Sequence, residues 1–170
     1  MATQILRPTS EIEPLNWEPP EGLHTLWSDE DILTGAVQGD VECSVAIGFQ
    51  ELTDIVGELT SINSITFSIY GYTNRHISSQ MTVKVLGADD TGLDSTTYTW
   101  SNIPQWHTSA AITGLDEDDC NNLVLAIFPD VTGVTITEMY ITVDYEPLSY
   151  NSTLKISHGL VTISEGRIIL

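Results

Sequence analysis

Positive charge is scarce in this sequence of 170 residues: Arg7, Arg75, Lys84, Lys155 and Arg167 stand against 24 acids, for a formal net charge of −19. Such a surface repels phosphates, so nucleic acid is not an expected partner. Anionic lipid headgroups are repelled on the same ground. No apolar run approaches the roughly 20 residues of a membrane span, so no membrane partner is expected either. No basic-then-apolar leader opens the chain, and the expectation is a protein made in the cytosol. Cysteine is rare as well. Cys43 and Cys120 are too few and too far apart for a disulfide framework or a clustered zinc site. Two free thiols are expected, with one long-range disulfide as the alternative.

The residues of catalysis are thinly spread. His24, His76, His107 and His158 fall in four separate loops or ends, and no two share the spacing of zinc ligands on one element. There is no glycine-rich phosphate loop, no Gly-x-Ser-x-Gly elbow and no cysteine beside a base. The expectation is a protein that is not an enzyme and carries no metal or cofactor. Asp116-Glu117-Asp118-Asp119 is the densest acid run. Folded inward it would offer calcium its oxygen ligands, but the spacing is not that of an EF-hand. The favoured reading is a turn whose Asp side chains cap backbone amides. Asn151-Ser152-Thr153 fits the glycosylation pattern, which without a secretory leader is read as chance.

What is present is β text. Hydrophobic residues make up 41% and charged ones 17%, a globular composition for one domain with extensions. Val41, Cys43, Val45, Ile47 and Phe49 alternate with small or polar residues, which sets an apolar row on one sheet face. Ile65, Phe67 and Ile69 repeat the pattern, as do Met81, Val83 and Val85. Asp89, Asp90, Gly92 and Asp94 mark a hairpin bend. Thr96–Trp100 and Thr108–Thr113 are short strands, and Leu123–Phe128, apolar on both faces, is a central one.

The longest strand, Val134–Tyr145, changes phase midway. Val134 and Ile136 share a face, then Met139, Ile141, Val143 and Tyr145 take the inward role. One extra residue near Thr137 and Glu138, a β-bulge, restores the packing. The only helical stripe is a weak one over Gln50–Leu59. The fold class that follows is all-β: an antiparallel two-sheet jelly-roll-like β-sandwich over residues 41–146. An extended N-terminal arm over 1–40 carries Pro8, Pro14, Pro19 and Pro20, and a C-terminal extension over 147–170 contains short strands.

Three features offer contacts. The arm holds Leu15, Trp17, Leu26 and Trp27, too apolar for a free tail, and the chain ends on Ile168, Ile169 and Leu170. These seven are the candidate partner contacts, although the tail could equally pack on its own domain. Trp100, Trp106 and His107, with Tyr98, form an aromatic patch near a strand end, and such rings stack on sugar faces. They are the candidate glycan contacts; a core lid or a subunit contact is the plainer alternative.

The order Leu6-Arg7-Pro8-Thr9, Trp17, Ser28-Asp29-Glu30-Asp31, and then Leu115-Asp116-Glu117-Asp118-Asp119 through Asn121 and Asn122 into Leu123-Val124-Leu125 carries a resemblance. Over residues 5 to 146 the chain resembles jelly-roll structural proteins of tailed-phage virions, found as capsid decoration (cement) or tail and fibre components. It departs from them at Ile69-Tyr70-Gly71-Tyr72, where they often carry an arginine, and after Pro147, which has no counterpart. The resemblance implies a virion structural protein assembled in the host cytoplasm. As a capsid decoration protein it would bind and stabilise the head lattice through its terminal arms. Its partners would be the major capsid protein or other virion subunits, and it would form a homo-oligomer, with a trimer favoured. The alternative is a tail or fibre component with a carbohydrate-binding β-sandwich.

Overall fold

Alternation of apolar and polar residues builds two facing sheets. A computed structural model describes residues 1–11, 17–18, 36–38, 45–73, 79–130, 133–148, 152–156, 159–164 and 167–169; residues 11, 17–18, 36–38, 152–156, 159–164 and 167–169 are described by strand pairing alone. The strands are β1 (Ala2–Leu6), β2 (Pro8–Glu11), β3 (Trp17–Glu18), β4 (Ala36–Gln38), β5 (Val45–Phe49), β6 (Leu59–Thr73) and β7 (Ser79–Leu86). They continue with β8 (Gly92–Trp100), β9 (Gln105–Thr108), β10 (Val124–Pro129), β11 (Val134–Pro147), β12 (Ser152–Ile156), β13 (Gly159–Ser164) and β14 (Arg167–Ile169).

Sheet one runs β3-β4-β11-β6-β9, with β1 also pairing β11, and sheet two runs β2-β5-β10-β7-β8. Every pairing is antiparallel. The chain changes sheet after β1, β2, β4, β5, β6, β8, β9 and β10, crossing between sheets as a jelly roll does. The protein is therefore an all-β, two-sheet antiparallel sandwich. Its core is the inward row of each strand: Ile65, Phe67 and Ile69 of β6; Met81, Val83 and Val85 of β7; Leu125 and Ile127 of β10; Met139, Ile141 and Val143 of β11.

The phase change in β11 is a bulge, as expected. Its register against β6 shifts between Ile136, opposite Gly71, and Glu138, opposite Tyr70, leaving Thr137 as the extra residue. The expected hairpin bend joins β7 to β8 through a 3-10 turn at Ala88–Asp90, with Asp89 and Asp90 at φ 54° and 57°. The weak helical stripe yields one short helix, α1 (Leu52–Val56). The acid run forms another, α2 (Glu117–Asn121), and its carboxylates do cap amides. Asp119 N donates to Asp116 Oδ1 at 2.9 Å, and Asp116 N donates to Asp119 Oδ2 at 3.3 Å.

Three boundaries move. Residues 2–11, assigned by sequence to the arm, are edge strands of both sheets, positions where Pro8 costs the ladder nothing because half the backbone groups face outward. The strand expected over Thr108–Thr113 ends at Thr108, after which the pairing with β6 continues through the Ser109 N to Phe67 O hydrogen bond and the bridge of Ile112 to Ile65. The first strand of the sandwich proper is seen from Val45; Val41 and Cys43 lie outside the described residues. The tail forms a third sheet, β12-β13-β14, that pairs with no sandwich strand among the described residues.

Candidate functional site

Side chains that point away from the core of sheet one meet across neighbouring strands. In β6 the residues that alternate with the core row are Thr66, Ser68 and Tyr70; Tyr70 lies opposite Trp106 of β9 and Glu138 of β11, and Ser68, itself buried, opposite Thr108 and Tyr140. Trp106 is 42% exposed. Its ring lies 5.2 Å from that of Tyr70, tilted by 48°, and 5.3 Å from that of Tyr140, tilted by 58°. Three rings from three strands thus form one aromatic platform on the outer face.

Arg7 closes it on the far side. It is the single residue between β1 in sheet one and β2 in sheet two. Gln50 fixes its backbone twice: Arg7 N donates to Gln50 Oε1 at 2.9 Å, and Gln50 N donates to Arg7 O at 3.0 Å. So held, the guanidinium lies 5.4 Å from the Tyr140 ring centroid and donates from Nη1 to Glu138 Oε1 at 2.9 Å. Glu138 owes its outward direction to the bulge and is only 7% exposed. Beside the rings, the hydroxyls of Ser68 and Thr108 share a hydrogen bond of 3.0 Å. Tyr70, Trp106, Tyr140, Arg7 and Glu138 therefore form a compact patch: apolar ring faces flanked by a neutralised ion pair.

Of the three residues predicted to contact glycan, the outer face keeps one. Trp106 and His107 are consecutive in a strand and must point to opposite faces. His107 turns inward, onto Trp100, at 4.6 Å and an interplanar angle of 17°. Trp100 is 0% exposed and lies over the α-carbon of Gly71, where a Cβ would fall on the Thr135 carbonyl oxygen and 2.5 Å from Trp100 Cζ3. Trp100 is thus corrected from a surface contact to core, and His107 from the outer face to a half-buried place against Trp100. Tyr98 completes this inner stack, 5.2 Å from His107 and edge-on to Phe67 at 6.0 Å. Trp100 Nε1 and His107 Nε2 are buried without a hydrogen-bond partner among the described residues. Burial lowers the His107 pKa and, with Asp94 nearby, pushes the Tyr98 phenol up to about 12.

Sequence reading missed Tyr70, Tyr140, Arg7 and Glu138. Period two did mark Tyr70 and Tyr140 as outward, between Ile69 and Gly71 and between Met139 and Ile141. That the two strands are neighbours, with β9 beside them, is long-range information. Among the described residues no three His, Cys, Asp or Glu side chains converge as metal ligands. Of the candidate partner contacts, Trp17 lies in β3, which pairs with β4, and Ile168 and Ile169 lie in β14, which pairs with β13. Leu15, Leu26, Trp27 and Leu170 lie outside the described residues.

No protein family's profile matches the sequence, and no curated protein is similar to it. Among solved structures, the chain is similar to the CBM36-1 domain of a multidomain xylanase from the hindgut metagenome of Trinervitermes trinervoides, with 12% identity, 86% of this chain and 100% of that one covered, and a TM-score of 0.41. A family 32 CBM from C. perfringens NanJ, solved with galactose, gives 12% identity, coverages of 82% and 93%, and a TM-score of 0.42. TmCBM61, solved with β-1,4-galactotriose, gives 6% identity, coverages of 82% and 86%, and a TM-score of 0.40. All three scores lie below 0.5, so the function is read from this chain's own side chains.

Proposed function

We propose that the protein is a non-catalytic sugar-binding β-sandwich whose site is the outer face of sheet one. The observation that carries this reading is Trp106, 42% exposed and in ring contact with both Tyr70 and Tyr140. Large rings left on a surface lose the stabilisation of burial unless a partner covers them, and aromatic faces match the C–H faces of sugar rings. Exposed Thr108 supplies a hydroxyl at the rim, held by its 3.0 Å hydrogen bond to that of buried Ser68. Nothing in this arrangement resembles a nucleophile with its base, so the reading is of binding without turnover. The test is titration of an oligosaccharide panel by calorimetry. Trp106→Ala is expected to weaken binding tenfold or more with little loss of fold, and an unchanged affinity in that variant would refute the reading.

A second reading, a virion structural protein that grips a capsid lattice as a decoration subunit, draws on the third sheet. β12, β13 and β14 pair only among themselves within the described residues, and so suit a unit that docks outside the sandwich. As a tail or fibre component the protein would do both jobs. Because residues 2–11 are strands of the sandwich, removal of residues 1–30 would damage the fold itself. Deletion of residues 149–170 is the cleaner test: lost association with purified capsids supports the decoration role, and retained association opposes it.

A further inference from the structure

We infer that the platform takes an uncharged, soluble oligosaccharide, and that Glu138 sets this selectivity by neutralising Arg7. The inference rests on the sugar-binding reading above. Two observations carry it. First, the rings of Tyr70 and Tyr140 are tilted by 48° and 58° to that of Trp106. The three cannot all lie flat on one plane, as the surface of a crystalline polysaccharide requires. They suit a short sugar chain whose rings turn relative to one another.

Second, the cation at the platform is already answered. A guanidinium beside aromatic rings is a natural holder for a carboxylate or sulfate on a sugar. Here Arg7 Nη1 donates to Glu138 Oε1 at 2.9 Å, and the Glu138 side chain, opposite Tyr70 in the next strand, is nine-tenths buried, so a rival anion would have to displace a carboxylate already in place. The patch therefore has no local charge to offer, and it sits in a chain of net charge −19. That charge opposes an acidic polymer at long range, at distances where low salt leaves the field unscreened. The bulge at Thr137 is what turns Glu138 to this face, so the selectivity is built into the backbone of β11.

The experiment compares three probes on the intact protein: uncharged gluco-, xylo- and galacto-oligosaccharides, oligogalacturonate, and microcrystalline cellulose, at low and at physiological ionic strength. The expected result is Trp106-dependent binding of an uncharged oligosaccharide, at least tenfold weaker binding of oligogalacturonate, and no retention on cellulose. Glu138→Gln, which keeps the shape of the side chain and removes its charge, should raise affinity for oligogalacturonate tenfold or more, most strongly at low salt. Trp106-dependent binding of oligogalacturonate within tenfold of the uncharged sugars, or Trp106-dependent retention on cellulose, by the unaltered protein would overturn the inference and leave the sugar-binding reading standing. Binding of no sugar of any class would overturn both. An unchanged affinity of Glu138→Gln for oligogalacturonate would overturn the role given to Glu138. Should that variant fail to fold, Arg7→Met/Glu138→Met takes its place: loss of both charges should leave oligogalacturonate binding unchanged, and a tenfold rise would show that Glu138 does not act by neutralising Arg7.

Discussion

The Arg7–Glu138 pair invites a double-mutant cycle, because it sits on an outer face and yet is mostly dry. The Arg7 side chain is 20% exposed and that of Glu138 9%. Removing the guanidinium in Arg7→Met strands a carboxylate in a site water scarcely reaches. Loss of one partner of a buried pair costs about 3 to 5 kcal/mol, and the access to solvent at Arg7 sets the expectation at the lower end, about 3 kcal/mol. For a chain of this size that corresponds to a fall in Tm of about 6 to 12 °C. Glu138→Met leaves a cation that can reach solvent, so its cost is smaller, about 1.5 kcal/mol. The double variant Arg7→Met/Glu138→Met places two apolar chains against Tyr140 and should lie within about 1 kcal/mol of the parent, since buried pairs are often replaced by hydrophobic residues at little cost. Urea unfolding followed by circular dichroism, with linear extrapolation, gives all four free energies. The expected coupling is about 4.5 kcal/mol, and no less than about 3.5. Additivity of the two single changes to within about 0.5 kcal/mol would refute the reasoning, because it would show the pair to be no stronger than an exposed ion pair.

Three further outcomes follow from the packing. Gly71→Ala places a methyl group against a fixed carbonyl oxygen and a fully buried indole, neither of which can yield; a loss of about 3 kcal/mol, or about 6 to 12 °C in Tm, is expected by thermal denaturation. His107 has a pKa lowered by burial, so below the ordinary value of 6.5 the unfolded chain takes up the proton first and stability falls with pH until the folded pKa is passed. His107→Phe should remove that component, so urea unfolding one unit above and one unit below 6.5 should show a smaller pH difference for the variant than for the parent. Cys120 is buried, and burial, then Asp119 and Asp116, push its thiol up to about 12. In a Cys43→Ser background the native protein should ignore a thiol reagent at mildly alkaline pH and react once urea unfolds it; rapid native labelling would contradict that burial.

The sandwich was legible because its signal is local. Met81, Val83 and Val85 in one strand and Ile65, Phe67 and Ile69 in another each announce a buried face within a few residues, and the phase change in β11 announced its bulge without reference to any other strand. The platform was only half legible for the opposite reason. Trp106 and His107 look like one patch in a string of letters, although alternation sends them to opposite faces of the same strand. Tyr70 and Tyr140 are outward by the same rule, but they meet Trp106 only because the jelly-roll connections bring β9, β6 and β11 side by side. Arg7 was hidden further still: 131 residues separate it from Glu138, and the segment that carries it reads as a proline-marked arm. Edge strands are hard to see in a sequence because half of their backbone and much of their side-chain surface are free of the constraints that write a pattern.

The strand that carries Trp106 has four residues and, among the described residues, a single neighbour, β6, at the rim of sheet one. Amides in such a strand exchange with solvent through local opening, long before the sandwich unfolds as a whole. The indole nevertheless reaches past β6 to touch Tyr140 on β11. Any molecule laid across Trp106 and Tyr140 therefore ties the rim of the sheet to its middle. Its arrival should be recorded first as slowed hydrogen exchange over residues 105–108, in a part of the molecule that a melting temperature does not sense.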